Sequence, residues 1–223
     1  MSIFQIPHLN LSKEQTGIAQ LSMILNSYEQ QKIDQLSWPE YQYAPKASFV
    51  IGYVDDFLCI KYYVCEHTIA ATQNLPNSTV YKDTCVEFFI AFDNSDFYYN
   101  LEFNCIGTCQ AGYGNAKTDR IDLDPLVIDQ ITYQSNIKKV NGSKTIQWEL
   151  TLKIPFAVFS YHHHIEQFKN SRCRVNFYKC GDELPKPHYL SWNIFYNSSY
   201  KTSFFYLYSN FEVSSEDSAH NLY

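Results

Sequence analysis

The chain has 223 residues, with 19 Tyr and 16 Phe but only 7 Gly, a formal net charge of -6 and a pI near 5.6. That length suits one domain around one substantial core, and no Pro- or Ser-rich linker divides it. The acidic balance, without a basic stripe, argues against nucleic acid as a partner, and no segment approaches the ~20 apolar residues of a membrane span.

The first residues, MSIFQIPHLNLSKEQ, show no basic stretch followed by an apolar core of signal-peptide length. A cytoplasmic location is therefore expected of the chain as it stands, with export left open for a longer precursor. Cysteines at 59, 65, 85, 105, 109, 173 and 180 are odd in number and suit free buried thiols better than a disulfide framework. Three Asn-x-Ser/Thr patterns, at Asn77, Asn141 and Asn197, read as chance surface loops.

Ser12 to Gln15 has the form of a capping box, and Ile18, Leu21, Ile24, Leu25 and Tyr28 recur at helical spacing, which predicts a helix over residues 13–31. Residues 1–37 are thus expected as a helical extension packed on a domain of residues 38–213, with 214–223 as a tail. Ser48–Val54 and Phe57–Glu66 alternate around an Asp55-Asp56 turn, the second with Leu58, Ile60, Tyr62 and Val64 on its core face.

The clearest pattern is Tyr81 to Cys109. Val86, Phe88, Ile90 and Phe92 share one face, Tyr99, Leu101, Phe103 and Cys105 another, and the turn formers Asp93 to Asp96 lie between. The expected hairpin pairs Phe92 with Tyr99 and Val86 with Cys105, which puts Glu87 opposite Asn104 on the non-core face. Residues 110–126 read as a polar functional or covering loop. Strands are expected over Ile128–Ile137 and Ile146–Ile154, a short helix or loop over Phe156–Phe168, and strands over Arg172–Lys179 and Phe204–Val213. Many short alternating strands and few helices predict an all-β antiparallel sandwich, jelly-roll-like, with an N-terminal helix.

Tyr81, Asp83 and Glu87 open toward one region at the mouth of the hairpin, where Asn104 joins them. Aromatic rings cover the C–H faces of sugars while carboxylates and amides meet the hydroxyls, so this mixture suits carbohydrate, as does Trp192-Asn193. The competing structural readings are a solvated strand start and, for Trp192, a place in the core. Glu87 and Glu102 could also act as a glycosidase pair, and a Cys–His nucleophile is a further enzymatic reading. The tract His162 to His164 cannot converge on one metal, and Cys105/Cys109 lacks a partner pair for zinc. No Gly-rich phosphate loop is present.

YKDTCVEFFIAFD, YYNLEFNCIGTCQAGYG, WELTLKIP and NFYKCGDELPKPHYLSWN, in that order, resemble the family 9 carbohydrate-binding modules, and in particular their freestanding relatives in Bacteroidetes. The resemblance spans about Trp38 to Phe211. It implies a non-catalytic β-sandwich that holds a mono- or disaccharide terminus between two aromatic rings, with no cofactor beyond a structural calcium. On that basis Tyr81 stands for the first ring, Trp192 for the second, and Asp83, Glu87, Asn104 and Asn193 for polar contacts. The Asp93/Asp96 turn and the loop with Asp119, Asp122 and Asp124 could hold the calcium by composition, without EF-hand spacing. Related sandwiches that carry haem use Met with His, and here Met1 and Met23 lie outside the sandwich. A sandwich repurposed away from sugar is the remaining alternative.

Overall fold

Period-two alternation folds the chain into two sheets laid face to face, as the sequence predicts. The computed structural model describes residues 3–92, 95–162, 172–193 and 209–213. In one sheet the order is β1 (Ile3–Ile6), β13 (Ser209–Val213), β11 (Arg172–Cys180), β5 (Cys85–Phe92), β6 (Tyr98–Asn104), β7 (Cys109–Gly114) and β8 (Ile121–Asp122), with β12 (Tyr189–Ser191) also on β11. The other runs β2 (Gln31–Lys32), β3 (Lys46–Val54), β4 (Phe57–Glu66), β10 (Ile146–Pro155) and β9 (Thr132–Lys139). All pairings are antiparallel except β1 with β13.

Between the sheets, Val86, Phe88 and Ile90 of β5 and Leu101 and Phe103 of β6 meet Leu58, Ile60 and Tyr62 of β4 and Trp148, Leu150 and Leu152 of β10. Phe177 of β11 sits at the centre, stacked on Phe49 at 3.6 Å and on Phe88 at 5.1 Å between ring centroids. Each such side chain contributes ~1.5–3 kcal/mol through burial.

Both arms of the Tyr81–Cys109 hairpin form with their apolar faces inward, but the register is displaced by two residues from the expected one. Glu87 lies opposite Glu102, and Asn104 opposite Cys85. A two-residue slip keeps every side chain on its own face, so alternation alone does not discriminate between these registers. Asn104 does: its Nδ2 donates to Asp83 Oδ2 at 3.0 Å and its Oδ1 accepts from Thr108 N at 3.0 Å, which anchors it beside the first residue of β5. In the reversal that follows, Gly107 takes φ +90°, a conformation that glycine adopts freely.

Three other elements differ from expectation. The N-terminal helix divides into a 3-10 turn, Lys13–Thr16, and α1 (Ile18–Leu25), because Gly17 between them is extended. Leu21 and Leu25 bury against Val50, Val54 and Phe57 on the outer face of the second sheet, and Lys61 Nζ closes the helix by donating to Ser22 O and Asn26 Oδ1. The segment of residues 1–37 also supplies β1 and β2. Residues 110–126 are not one loop: β7 and β8 lie within them, and α2 (Pro125–Ile128), capped by Asp124 Oδ1, takes the start of an expected strand. Residues 163–171, 194–208 and 214–223 lie outside the described residues, and with them most of the His tract, part of the final expected strand and the tail.

At one end a polar network ties the sheets together. Glu66 Oε2 pairs with Lys179 Nζ at 3.2 Å, while Glu66 Oε1 accepts from Trp148 Nε1 at 2.7 Å and Thr84 Oγ1 at 2.9 Å. Lys179 Nζ also donates to Cys180 O at 2.8 Å and to His188 Nε2 at 2.9 Å, and His188 Nδ1 donates to Lys186 O. Burial and the neighbouring Lys179 push His188 down to about 4, so its imidazole is neutral and free to accept.

Candidate functional site

The register of three strands builds a pocket on the outer face of the first sheet. Glu87 on β5, Glu102 on β6 and Gln110 on β7 form one cross-strand row, and Phe89, Asn100 and Gly112 form the next. Gly112 presents no side chain there, and the Arg120 side chain lies over it. Tyr81 from the 3-10 turn Val80–Lys82, Asp182 from the turn after β11, and Lys117, Arg120 and Asp122 from beyond β7 line the remainder. The cavity measures about 230 Å³, smaller than the ~300–1,000 Å³ of drug-sized sites and of a size for one sugar ring.

Its hydrogen bonding is lopsided. Asn100 Nδ2 donates to Glu102 Oε1 at 2.5 Å, Arg120 Nη1 stands 3.8 Å from the same oxygen, and Cys180 Sγ donates to Glu87 Oε1 at 3.0 Å. Glu87 Oε2, Glu102 Oε2, Asn100 Oδ1 and Gln110 Oε1 are buried without a hydrogen-bond partner among the described residues. Each such group costs ~1–3 kcal/mol when left unmet, and native proteins rarely leave them so. Asn100 Oδ1 and Gln110 Oε1 are acceptors, and so are the carboxylate oxygens apart from any proton the pair shares, so the missing partner is one with several donors.

Electrostatics follow from the same rows. Burial, and then the neighbouring Glu102 carboxylate, push Glu87 up to about 8, and burial raises Glu102 against the opposing pull of Arg120 and Asn100. Burial also raises Asp182. At neutral pH the carboxylate pair therefore tends to keep a proton, which makes it a donor as well as an acceptor.

Of the residues that the sequence singles out, Tyr81 and Glu87 line this pocket, as does Glu102 of the alternative glycosidase pair. Asp83 and Asn104 meet each other instead, away from it. Asp83 accepts from Thr72 N and Oγ1, Gln73 N and Asn104 Nδ2, and although burial pushes its carboxyl up, these bonds hold it below the ordinary value. Trp192 does not face Tyr81; half-buried, its ring packs edge-on against Phe4, Phe49 and Phe177 at the margin of the core, 5.3 to 5.8 Å between centroids. Asn193 N donates to Asn176 Oδ1 on β11. The expected facing pair of Tyr81 and Trp192 is therefore not formed, because the chain after β12 turns Trp192 inward, where its backbone N–H donates to Phe177 O.

Sequence reasoning passed over Asn100, Gln110, Arg120 and Asp182. Asn100 shares the face of Glu102 by simple alternation and was legible in principle, whereas Gln110 and Arg120 depend on β7 and β8 being recognised within a polar stretch. Beside the pocket runs an aromatic series, Tyr41, Tyr189, Trp38, Tyr178, Phe89 and Tyr98, with successive centroids 4.6 to 6.2 Å apart.

A larger cleft of about 630 Å³ opens beside Trp148, Val64 and Leu190, but none of its lining side chains is a buried polar group lacking a partner. Metal-ligating side chains converge elsewhere than the acidic stretches: among the described residues the group is Cys85, Glu87 and Cys180. Asp124 is engaged as the cap of α2, Asp119 accepts from Thr118 Oγ1, and Asp93 lies outside the described residues. All seven thiols are free, and no helix among the described residues is long and apolar enough to cross a membrane.

Comparison with known proteins bears on this geometry. Residues 18–209 match the family described as "Carbohydrate-binding family 9". A protein from Bacteroides uniformis, described as a candidate carbohydrate-binding protein, superposes with a TM-score of 0.77 at 26% identity, over 96% of this chain and 99% of that one. A family 9 carbohydrate-binding module from Caldicellulosiruptor kristjanssonii in complex with cellotriose gives a TM-score of 0.56 at 11% identity over 100% of both chains. A module of the same family and organism in complex with glucose gives 0.51 at 12% identity over 85% of each chain. At these last identities the likeness is one of fold. No curated protein gave a significant match.

Proposed function

The chain belongs to carbohydrate-binding family 9, and from that premise we propose that it binds a mono- or disaccharide, without chemistry, in the pocket floored by Glu87, Asn100, Glu102 and Gln110. The observation that carries this reading is the set of four buried acceptor oxygens without partners. Sugar hydroxyls supply several O–H donors from one rigid ring, and a ring held from below by acceptors leaves a C–H face for an aromatic cover. Tyr81, the aromatic side chain of the lining, would supply such a cover, with Arg120 and Lys117 as donors to hydroxyl oxygens. Asp83 and Asn104 act at one remove, fixing the loop of Thr72 and Gln73 behind the turn that carries Tyr81. Binding of cellotriose and glucose by fold relatives makes β-linked glucose units the first ligands to try.

The raised Glu87 favours a second reading, acid chemistry by Glu87 and Glu102 on a glycoside. The two carboxylates are direct cross-strand neighbours that rise from one floor, however, whereas a retaining or inverting pair flanks the scissile bond. Binding without turnover fits this placement better.

Calorimetry with glucose, xylose, galactose, cellobiose and xylobiose tests the proposal. Heat of binding to at least one of them, with no reducing sugar released from longer chains, is expected. Silence toward all at millimolar concentration would overturn it, and release of reducing sugar that disappears in Glu87→Gln would replace it with the enzymatic reading.

A further inference from the structure

The pocket shares Glu87 with a second arrangement, whose other members, Cys85 and Cys180, the sugar reading does not use. Cys85 and Cys180 are direct partners in the β5–β11 ladder, and Glu87 lies two residues along β5 on the same face, opposite Tyr178. Period two thus brings two thiols and one carboxylate to a single spot. Cys180 Sγ donates to Glu87 Oε1 at 3.0 Å, and one ligand atom from each of the three lies within 4.8 Å of the others. All three residues are buried, with exposures of 0%, 2% and 2% for Cys85, Glu87 and Cys180, under the cover of Val80, Tyr81 and Tyr189.

We propose that Cys85, Cys180 and Glu87 form a site for one thiophilic divalent cation of the zinc class, set just beneath the pocket. Tetrahedral zinc holds sulfur at about 2.3 Å and carboxylate oxygen at about 2.0–2.2 Å, which separates its ligand atoms by about 3.5–3.8 Å. The cluster brackets that spacing, with Cys180 Sγ and Glu87 Oε1 at 3.0 Å and all three ligand atoms within 4.8 Å, so side-chain rotations would have to bring it to tetrahedral geometry. Two sulfurs with one oxygen select zinc or cadmium over the calcium and magnesium that prefer oxygen alone. Glu87 Oε2, buried and unpartnered, marks the pocket side of the cluster, where a fourth position would take water.

Loading the cation breaks the two S–H bonds, and both protons leave through the pocket together with any proton on Glu87; no electrons move. Two thiolates and a carboxylate leave one net negative charge around a dication, part of which Arg120, already acting on Glu87, offsets. The site stands whether or not the pocket takes sugar.

The test uses the reduced full-length protein, stripped by chelator and titrated with Cd2+ or Zn2+ alone. An ultraviolet cadmium–thiolate band that saturates at one ion per chain is expected in the wild type and lost in Cys85→Ser/Cys180→Ser. Persistence of the full band in that variant would overturn the proposal, since five other cysteines would then be the ligands. A variant that fails to fold leaves the decision to the wild type, by anomalous scattering from zinc-soaked crystals. A peak bonded to both sulfurs and Glu87 sustains the site. A peak elsewhere, no peak, or a disulfide between Cys85 and Cys180 that forms instead removes it.

Discussion

Two polar clusters flank β5, one reached through Thr84 just before it and the other through Glu87 on it, and they were built to opposite ends. In the network of Glu66, Lys179, Thr84, Trp148 and His188, between the sheets, each charge meets an opposite charge or a hydrogen bond within the protein. In the pocket of Glu87, Asn100, Glu102 and Gln110, on the outer face of one sheet, like carboxylates face each other and acceptors outnumber donors. The difference is one of satisfaction: Glu66 Oε2 lacks a hydrogen bond but has the Lys179 ammonium beside it, whereas Glu87 Oε2 has neither among the described residues. The first cluster holds the sheets together, and the second is a structure that a ligand completes.

That contrast breaks most visibly at Lys179. Its replacement by Met strands Glu66 in the core and is expected to remove ~3–5 kcal/mol of stability, measured by urea unfolding, whereas Glu66→Gln with Lys179→Met should recover a large part. An unchanged midpoint in Lys179→Met would mean that the ion pair bears nothing.

Glu102→Gln should do the reverse, leaving stability level or higher because it relieves repulsion with Glu87, while weakening saccharide binding by ~1–3 kcal/mol in calorimetry. If Glu102→Gln instead unfolds the protein at full affinity, the pocket is a structural cluster like the other. Tyr81→Ala is expected to lose ~1 kcal/mol of affinity with little effect on melting, and unchanged affinity would dismiss it as the cover for a sugar face.

The last effect is in pH dependence, and it has opposite signs in the two clusters. Folded Glu87 keeps its proton to about 8, whereas the unfolded chain releases it near 4.5, so stability falls as pH rises across that window and is level above it. Folded His188 stays neutral to about 4 while the unfolded chain binds a proton below 6.5, so stability falls as pH drops from 6.5 to 4. Between 4.5 and 6.5 the two slopes oppose each other, and from 6.5 to 8 the His188 contribution is complete while the loss from Glu87 continues. Melting temperatures should therefore decline over that last interval in the wild type and decline less in Glu87→Gln; identical slopes would assign the titration elsewhere.

What the sequence disclosed and what it withheld follow from the same physics. Faces were legible: Val86, Phe88, Ile90 and Leu101, Phe103 point inward as alternation requires, and so do Leu58, Ile60 and Trp148, Leu150. Register was not, because a slip of two residues conserves every face and is settled by the side chain of Asn104 bonding a loop some thirty positions earlier in the chain, at Gln73. Once the register moved, Glu87 acquired Glu102 as its neighbour and Asn104 became a support. The role of Trp192 turned on the direction of a single turn after β12, to which composition is blind. Glu87 and Tyr81 survive as pocket residues; Asn100, Gln110 and Arg120 emerge only when β6, β7 and the chain beyond them are brought side by side.

The measurement that bears most directly on the comparison is a crystal structure of the protein with the best saccharide from the calorimetric panel. Hydroxyl oxygens are predicted within ~2.5–3.2 Å of at least three of Glu87 Oε2, Glu102 Oε2, Asn100 Oδ1 and Gln110 Oε1, with the Glu66–Lys179 network unchanged. A sugar seated in the larger cleft beside Trp148, with those four oxygens still unmet, would contradict the account.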